Sequence, residues 1–165
     1  MRNFVWGFLA LMGFVLLNGS CKKDSGCNYS NQNIVAPLSE QKAVKAYLDS
    51  IGVSQPLKDS SGFYYEVIED GSGGTPNLCS QIEVTYTGKL TNGNVFEQKS
   101  TAFTLGSSIE GLRKGIQLIK KGGHMKLYIP PTLAYGSVDV KDDYGKVVIP
   151  ANSILIFDIT LTTFY

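Results

Sequence analysis

The stretch Ile82–Phe96, IEVTYTGKLTNGNVF, constrains this chain more than any other. Ile82, Val84, Tyr86 and Leu90 recur at every second position, and Glu83, Thr85, Thr87 and Lys89 fill the gaps. Successive side chains of a strand point to opposite faces, so this alternation predicts a half-buried strand. Asn92-Gly93 tolerates positive φ and predicts a tight hairpin turn, after which Val95 and Phe96 begin the return strand. Tyr86 then faces the apolar side with Val84, and Phe96 comes back beside it. Two aromatic rings on one concave face can wall a small apolar pocket, or serve only as core.

The rest of the chain supplies further strands and few helices. Gly62–Ile68, Thr101–Leu105, Met125–Ile129 and Ser153–Phe164 read as strands, the third closed by Pro130-Pro131. Leu112, Ile116 and Ile119 share one face of a short helix ended by Gly122-Gly123. Asp70–Asn77 is a loop, and Tyr135–Pro150 a long one carrying Asp139, Asp142 and Asp143. Those acids lack the spacing of an EF-hand, and Cys27, Cys79 and His124 lack that of a zinc site, so no metal and no cofactor is expected. Many strands around one helix predict an α+β fold, an antiparallel sheet with one buried face wrapped on that helix.

Ahead of this domain lie three shorter pieces. Residues 1–20 read as a signal peptide: Arg2 is followed by an apolar run over Phe4–Leu17, too short for the roughly 20 residues that span a bilayer. Leu17-Asn18-Gly19-Ser20-Cys21 resembles a bacterial lipobox, with Asn18 where Leu is usual. Lipidation of Cys21 and ordinary secretory cleavage are the two readings, and Asn18 also spoils the small-x-small site of the second. Residues 21–38 are polar and read as a lipid-anchored tether at a membrane surface. Residues 39–52 read as an accessory helix, capped by Ser39, with Val44, Tyr47, Leu48 and Ile51 as its apolar stripe and Gly52 as its stop. Export would place Cys27 and Cys79 in an oxidising compartment, where they pair or remain free thiols.

Charge narrows the function classes. The formal net charge is +1, which gives no support to nucleic-acid binding. The basic cluster Arg113, Lys114, Lys120 and Lys121 reads as a solvated face near a helix C-terminus. With one histidine in the chain, no Ser-His-Asp or Cys-His set is available.

Five separated pieces together resemble one family. They are residues 82–90, Gly93 with Phe96, Ile109-Glu110-Gly111-Leu112, Leu133-Ala134-Tyr135-Gly136, and Ile149–Ser153 with Leu155–Asp158. In this order and spacing they resemble the FKBP-type peptidyl-prolyl isomerases over residues 62–165, and the N-terminal layout resembles the family's envelope lipoproteins. The resemblance implies catalytic roles for Tyr86, Phe96, Glu97, Ile109 and Tyr135. It implies a pocket walled by Leu112, Val148, Ile149 and Phe157. Ile109 would offer its N–H, and Tyr135 its hydroxyl, to substrate carbonyls. Glu97 stands where the family usually has Asp, Leu112 where many members have Trp, and Thr101 where an aromatic is common. These departures imply a deeper pocket with a weaker rim and weaker hold on macrolides. The implied partners are proline-containing polypeptides, handled by a monomer in the cell envelope. A non-catalytic chaperone or adaptor that keeps the pocket is the alternative.

Overall fold

A computed structural model describes residues 26–165. Residues 1–20, read above as a signal peptide, and Cys21 lie outside the described residues. Ten regular elements follow: α1 (Leu38–Ser50), β1 (Leu57–Lys58), β2 (Tyr64–Glu69), β3 (Gln81–Leu90), β4 (Val95–Thr104), α2 (Glu110–Ile116), β5 (His124–Ile129), β6 (Val140–Lys141), β7 (Val147–Ile149) and β8 (Leu155–Phe164). Six strands form one sheet in the order β1-β2-β5-β8-β3-β4, with every neighbouring pair antiparallel. β6 and β7 pair separately as a short ribbon.

The alternation read in β3 holds over its length. Ile82, Val84, Tyr86 and Gly88 are buried, and Gln81, Thr85 and Lys89 are exposed. β8 does the same with Leu155, Phe157, Ile159 and Leu161. Between them these strands, with Leu127 and Ile129 of β5, line the concave face on which α2 lies. Two glycines let the helix come that close. A Cβ on Gly111 would sit 2.4 Å from Cγ2 of Ile129, and one on Gly115 would sit 2.6 Å from Cδ2 of Leu127. Four residues apart, they fall on one face of α2 and press backbone against strand.

Part of the other face is covered as well, over β2, β5 and β8, which amends the expectation of one buried face, while Gln81, Thr85 and Lys89 of β3 stay exposed there. Tyr64, Tyr128 and Ile156 stand in register across β2, β5 and β8. They pack against Val44 and Leu48 of α1, both fully buried. The helix therefore docks on the back of the sheet, not beside the site. Glu40 in its first turn accepts the Thr132 N–H at 2.9 Å and its hydroxyl at 2.7 Å. Pro37, not Ser39, precedes the first turn, and Ile51 of the expected stripe is exposed. Gly52 ends the helix at φ +77°, as its position implied.

Other local readings also change. The separate strand expected at Thr101–Leu105 is the second half of β4, because β4 stays paired to β3 from Val95 to Thr104. α2 ends at Ile116, well before Gly122-Gly123; residues 117–123 turn back to β5, with Leu118 N–H bonded to Gly115 O at 3.0 Å. The long loop Tyr135–Pro150 contains the β6–β7 ribbon. Its turn is made by Asp142, whose carboxylate accepts the N–H groups of Tyr144 and Lys146 at 3.0 and 2.9 Å.

Residues 26–37 have no regular secondary structure but run along the domain. Cys27 and Cys79 are bonded, with Cα atoms 5.7 Å apart. The Gln32 N–H reaches Glu110 Oε1 at 3.1 Å, Lys114 Nζ lies 3.4 Å from Ile34 O, and Ala36 N–H bonds Ser61 O at 2.9 Å. Tyr29 packs against Gly106, where a Cβ would sit 2.2 Å from its Cγ. α2 is thus held between the sheet and this strap.

Burying a leucine side chain is worth roughly 1.5–3 kcal/mol, and truncation adds the cavity left behind. Leu48→Ala is therefore expected to destabilise the domain by about 3 kcal/mol in urea unfolding. A loss below about 1 kcal/mol would show that α1 contributes little to the fold.

Candidate functional site

Three aromatic rings converge at one corner of the concave face. Phe157 of β8 is the centre: its ring centroid lies 5.7 Å from that of Tyr86 and 5.7 Å from that of Phe96, the latter edge-on. Such tilted pairs suit the ring quadrupoles better than a face-to-face stack. Tyr86, Phe157, Leu112 and Ile149 are buried, while Phe96, Ile109 and Val148 pack on them half-buried. Four different elements and the ribbon meet here.

Phe96 owes its position to a bulge. Gly88 pairs with Glu97 and Lys89 with Val95, so Phe96 is the extra residue on β4. A bulge bends the strand and re-aims a side chain. Gly88 leaves the space the ring needs, because a Cβ there would meet Phe96 Cε2 at 2.5 Å. The missing side chain in the β3 alternation was the visible signal for this, and it carried no indication of its partner.

Glu97 follows the bulge and faces the same side as Tyr86. One carboxylate oxygen accepts the Tyr86 hydroxyl, and the other pairs with Lys99. The extra methylene relative to Asp still lets the carboxylate reach the phenol. Burial raises the Glu97 pKa, but the bonds from Lys99 and Tyr86 and the Lys99 charge outweigh it, and the net shift is downward. Tyr86 is pushed far up, first by burial, then by its bond to Glu97 and that charge. The phenol therefore stays a hydrogen-bond donor. Lys99 was not among the residues singled out in the sequence, since a lysine on a strand has no motif to mark it.

Ile109 caps α2 in an extended conformation, with φ −64° and ψ 154°. Its N–H is one of the four at a helix start that no helical carbonyl can satisfy. Leu112 sits one turn on, against the aromatic corner's core. Tyr135 stands at the rim, 42% exposed. Burial of its ring raises its pKa first, then the Glu97 charge, against the opposing Lys99. Thr101 lies opposite Val84, one inward position away from Tyr86 along β3.

The second feature to weigh is an open cleft of about 1080 Å³ beside Cys27 and Cys79. Its lining holds Tyr29 and several amides but no carboxylate, lysine or histidine. The aromatic corner, with its polar rim, is the stronger candidate. Among the described residues no group of His, Cys, Asp or Glu could hold a metal ion.

The family model described as FKBP-type peptidyl-prolyl cis-trans isomerase matches residues 73–162. The chain is 38% identical over 123 residues to the FKBP-type isomerase FkpA of Escherichia coli K12, covering 71% of this chain and 43% of that protein. The crystal structure of Escherichia coli FkpA superposes with a TM-score of 0.65 at 33% identity, over 76% of this chain and 59% of that one. A peptidyl-prolyl isomerase from Pseudomonas syringae pv. tomato matches with a TM-score of 0.64 at 26% identity, over 78% and 96% of the two chains. The chain thus spans less than half the length of the curated relative it matches. With more than half of the chain matched by that family model and the fold shared with these structures, the chain belongs to the FKBP-type peptidyl-prolyl cis-trans isomerase family.

Proposed function

We propose that this chain catalyses cis–trans isomerisation of X–Pro bonds in exported polypeptides, with the proline ring against Tyr86, Phe96 and Phe157. The observation that carries this reading is the convergence of those rings beside the free N–H end of α2. An X–Pro bond rotates over a barrier of about 18–20 kcal/mol, because amide resonance must be broken. The twisted amide has less charge separation than the planar one, so a dry apolar wall favours it and lowers the barrier. Leu112, Val148, Ile149 and Phe157 supply that wall. The Ile109 N–H and the Tyr135 hydroxyl hold flanking carbonyls and fix the peptide. Glu97 acts through Tyr86, keeping the phenol oriented and protonated. A reduction of about 6–8 kcal/mol corresponds to roughly 10⁴–10⁶ in rate, with no nucleophile or acid–base pair required.

The notion of a binding module without turnover rests on Leu112, Thr101 and Glu97. The Tyr86–Glu97 bond favours the enzyme over it, since the departure at 97 keeps its contact. A proline-peptide exchange assay separates the two, and rates no faster than buffer would favour the module. Tyr135→Phe is expected to lower kcat/KM about 2- to 12-fold, the worth of one hydrogen bond of roughly 0.5–1.5 kcal/mol. Phe96→Ala should lower it further.

The pH response follows from Glu97. Its folded pKa lies below the ordinary value, so its stabilising contribution is present above the ordinary carboxylate pKa. That contribution is lost as pH falls through the folded value. Lys99→Met removes the Lys99 bond and charge and leaves burial opposed only by the Tyr86 bond, so the Glu97 titration midpoint in a carbon-detected NMR titration should move upward. An unmoved midpoint would show that Lys99 does not hold the carboxylate.

For location, we read Cys21 as the lipidated N-terminus of the mature protein, with the domain facing the periplasm or exterior. The support is the small residues before Cys21 after an apolar run. Among the described residues no helix is long and apolar enough to cross a membrane. Mass spectrometry of the protein purified from its membrane fraction should find a diacylated or triacylated Cys21. An unmodified thiol there would end the lipoprotein reading.

A further inference from the structure

The strap and the turn ahead of β3 wall the open cleft of about 1080 Å³ beside the Cys27–Cys79 bond. Small molecules bind in concave sites of roughly 300–1,000 Å³, so there is room for one. None of the lining residues belongs to the aromatic corner, and none carries a charge. Five of them are carboxamides, Asn28, Asn31, Asn77, Gln81 and Gln117, and the one ring is that of Tyr29. The strap, the turn, the start of β3 and the segment after α2 each contribute at least one amide.

The Tyr29 ring has a built seat. A Cβ on Gly106 would lie 2.5 Å from Tyr29 Cδ2 and 2.6 Å from its Cβ, as well as close to Cγ. Gly106 takes no positive φ, so it is the ring and not the backbone that requires glycine there. The tyrosine nevertheless stays 44% exposed. The amides around it are partly fixed and partly unused. Gln81 Nε2 donates to Thr104 Oγ1 at 2.5 Å, Gln117 Nε2 donates to Arg113 O at 2.8 Å, and Asn77 Oδ1 accepts the Cys79 N–H at 2.8 Å. Gln81 Oε1, Gln117 Oε1 and Asn77 Nδ2 have no partner among the described residues. Polar groups held in place beforehand lose little freedom when a ligand takes them.

We propose that this cleft binds a neutral oligosaccharide, with one sugar ring laid on Tyr29 and its hydroxyls bonded by the surrounding carboxamides. A sugar hydroxyl both donates and accepts, and a carboxamide offers two donors and an acceptor oxygen, so the two match without charge. The C–H face of a pyranose suits the negative face of an aromatic ring. A phosphorylated or acidic ligand finds no lysine, arginine or histidine here. A polypeptide is usually recognised through apolar anchors, terminal charges or a free sheet edge. Leu78 is the one aliphatic side chain of the lining, and it is buried. Position adds to the argument. Cys27 follows Cys21 by six residues, at most about 20 Å of extended chain, so with Cys21 lipidated as proposed above the cleft stands among the glycans of the envelope surface. The proposal does not rest on the isomerase reading.

The test titrates the mature chain, in a detergent without a sugar headgroup, with maltotriose, cellotriose and triacetylchitotriose. Nitrogen-15 NMR follows the side-chain amides. At least one trisaccharide should bind with a Kd at or below about 1 mM. It should move the amide signals of Asn28, Asn77 and Gln117 and leave those of Asn92 and Asn94, at the far end of β3, in place. Tyr29→Leu should weaken binding about 10-fold. Asn28→Ala, at an exposed side chain, should weaken it about 2- to 12-fold, the worth of one hydrogen bond. A thiol count checks that the Cys27–Cys79 bond survives in each variant; if Tyr29→Leu loosens the strap, Asn28→Ala decides. No amide shift with any of the three sugars overturns the proposal. So does binding that neither substitution weakens, or a shift pattern centred on the aromatic corner. Equal affinity for the tripeptide Gly-Asn-Gly overturns it in favour of a polypeptide occupant.

Discussion

The contact between α2 and β5 is what the remainder of the structure depends on. Gly111 and Gly115 remove the side chains that would hold the helix off Ile129 and Leu127. Interiors pack at near-crystalline density, so a helix displaced by even one methyl group would leave its neighbours unfilled. The close approach sets the N-terminal end of α2 at a fixed height over the sheet. Ile109 and Leu112 reach the aromatic corner because of it.

Two further layers hold that arrangement. α1 covers part of the convex face through Val44 and Leu48, which lie on Tyr64, Tyr128 and Ile156 of β2, β5 and β8. The strap of residues 26–37 lies across α2 from outside. Glu110, 5% exposed, meets Arg113 at 2.8 Å and Lys114 at 3.6 Å, and takes the strap's Gln32 N–H. A buried carboxylate without such partners would cost several kcal/mol. The strap, the helix and the disulfide at Cys27 therefore support one another, and the polar segment ahead of the domain is partly a piece of it.

The corner joins an apolar wall to a braced phenol. Phe157 is the ring that both Tyr86 and Phe96 touch, and Glu97 locks the phenol from the other side. The Lys99 ammonium and the Tyr86 hydroxyl both favour the charged form of that carboxylate beside an apolar wall.

Elements with a strict local period were legible before any coordinates. β3 and β8 show it in their alternating apolar residues, because the pleat itself imposes a period of two. The aromatic corner was legible through its family resemblance, and the residues Tyr86, Phe96, Phe157, Leu112 and Ile149 do come together. What depends on distant partners was not. The bulge at Phe96, the reach of Glu97 to Tyr86, the pairing of Lys99 and the docking of α1 on the back of the sheet arise between segments far apart in the chain. The β6–β7 ribbon was hidden for a different reason: its turn is held by one aspartate, and its strands are too short to show a period. Local periodicity determined the long strands β3 and β8 and where the hairpin after β3 turns. Only the tertiary structure decided which side chains meet, since that requires the sheet order and the depth of α2, and no window of sequence contains either.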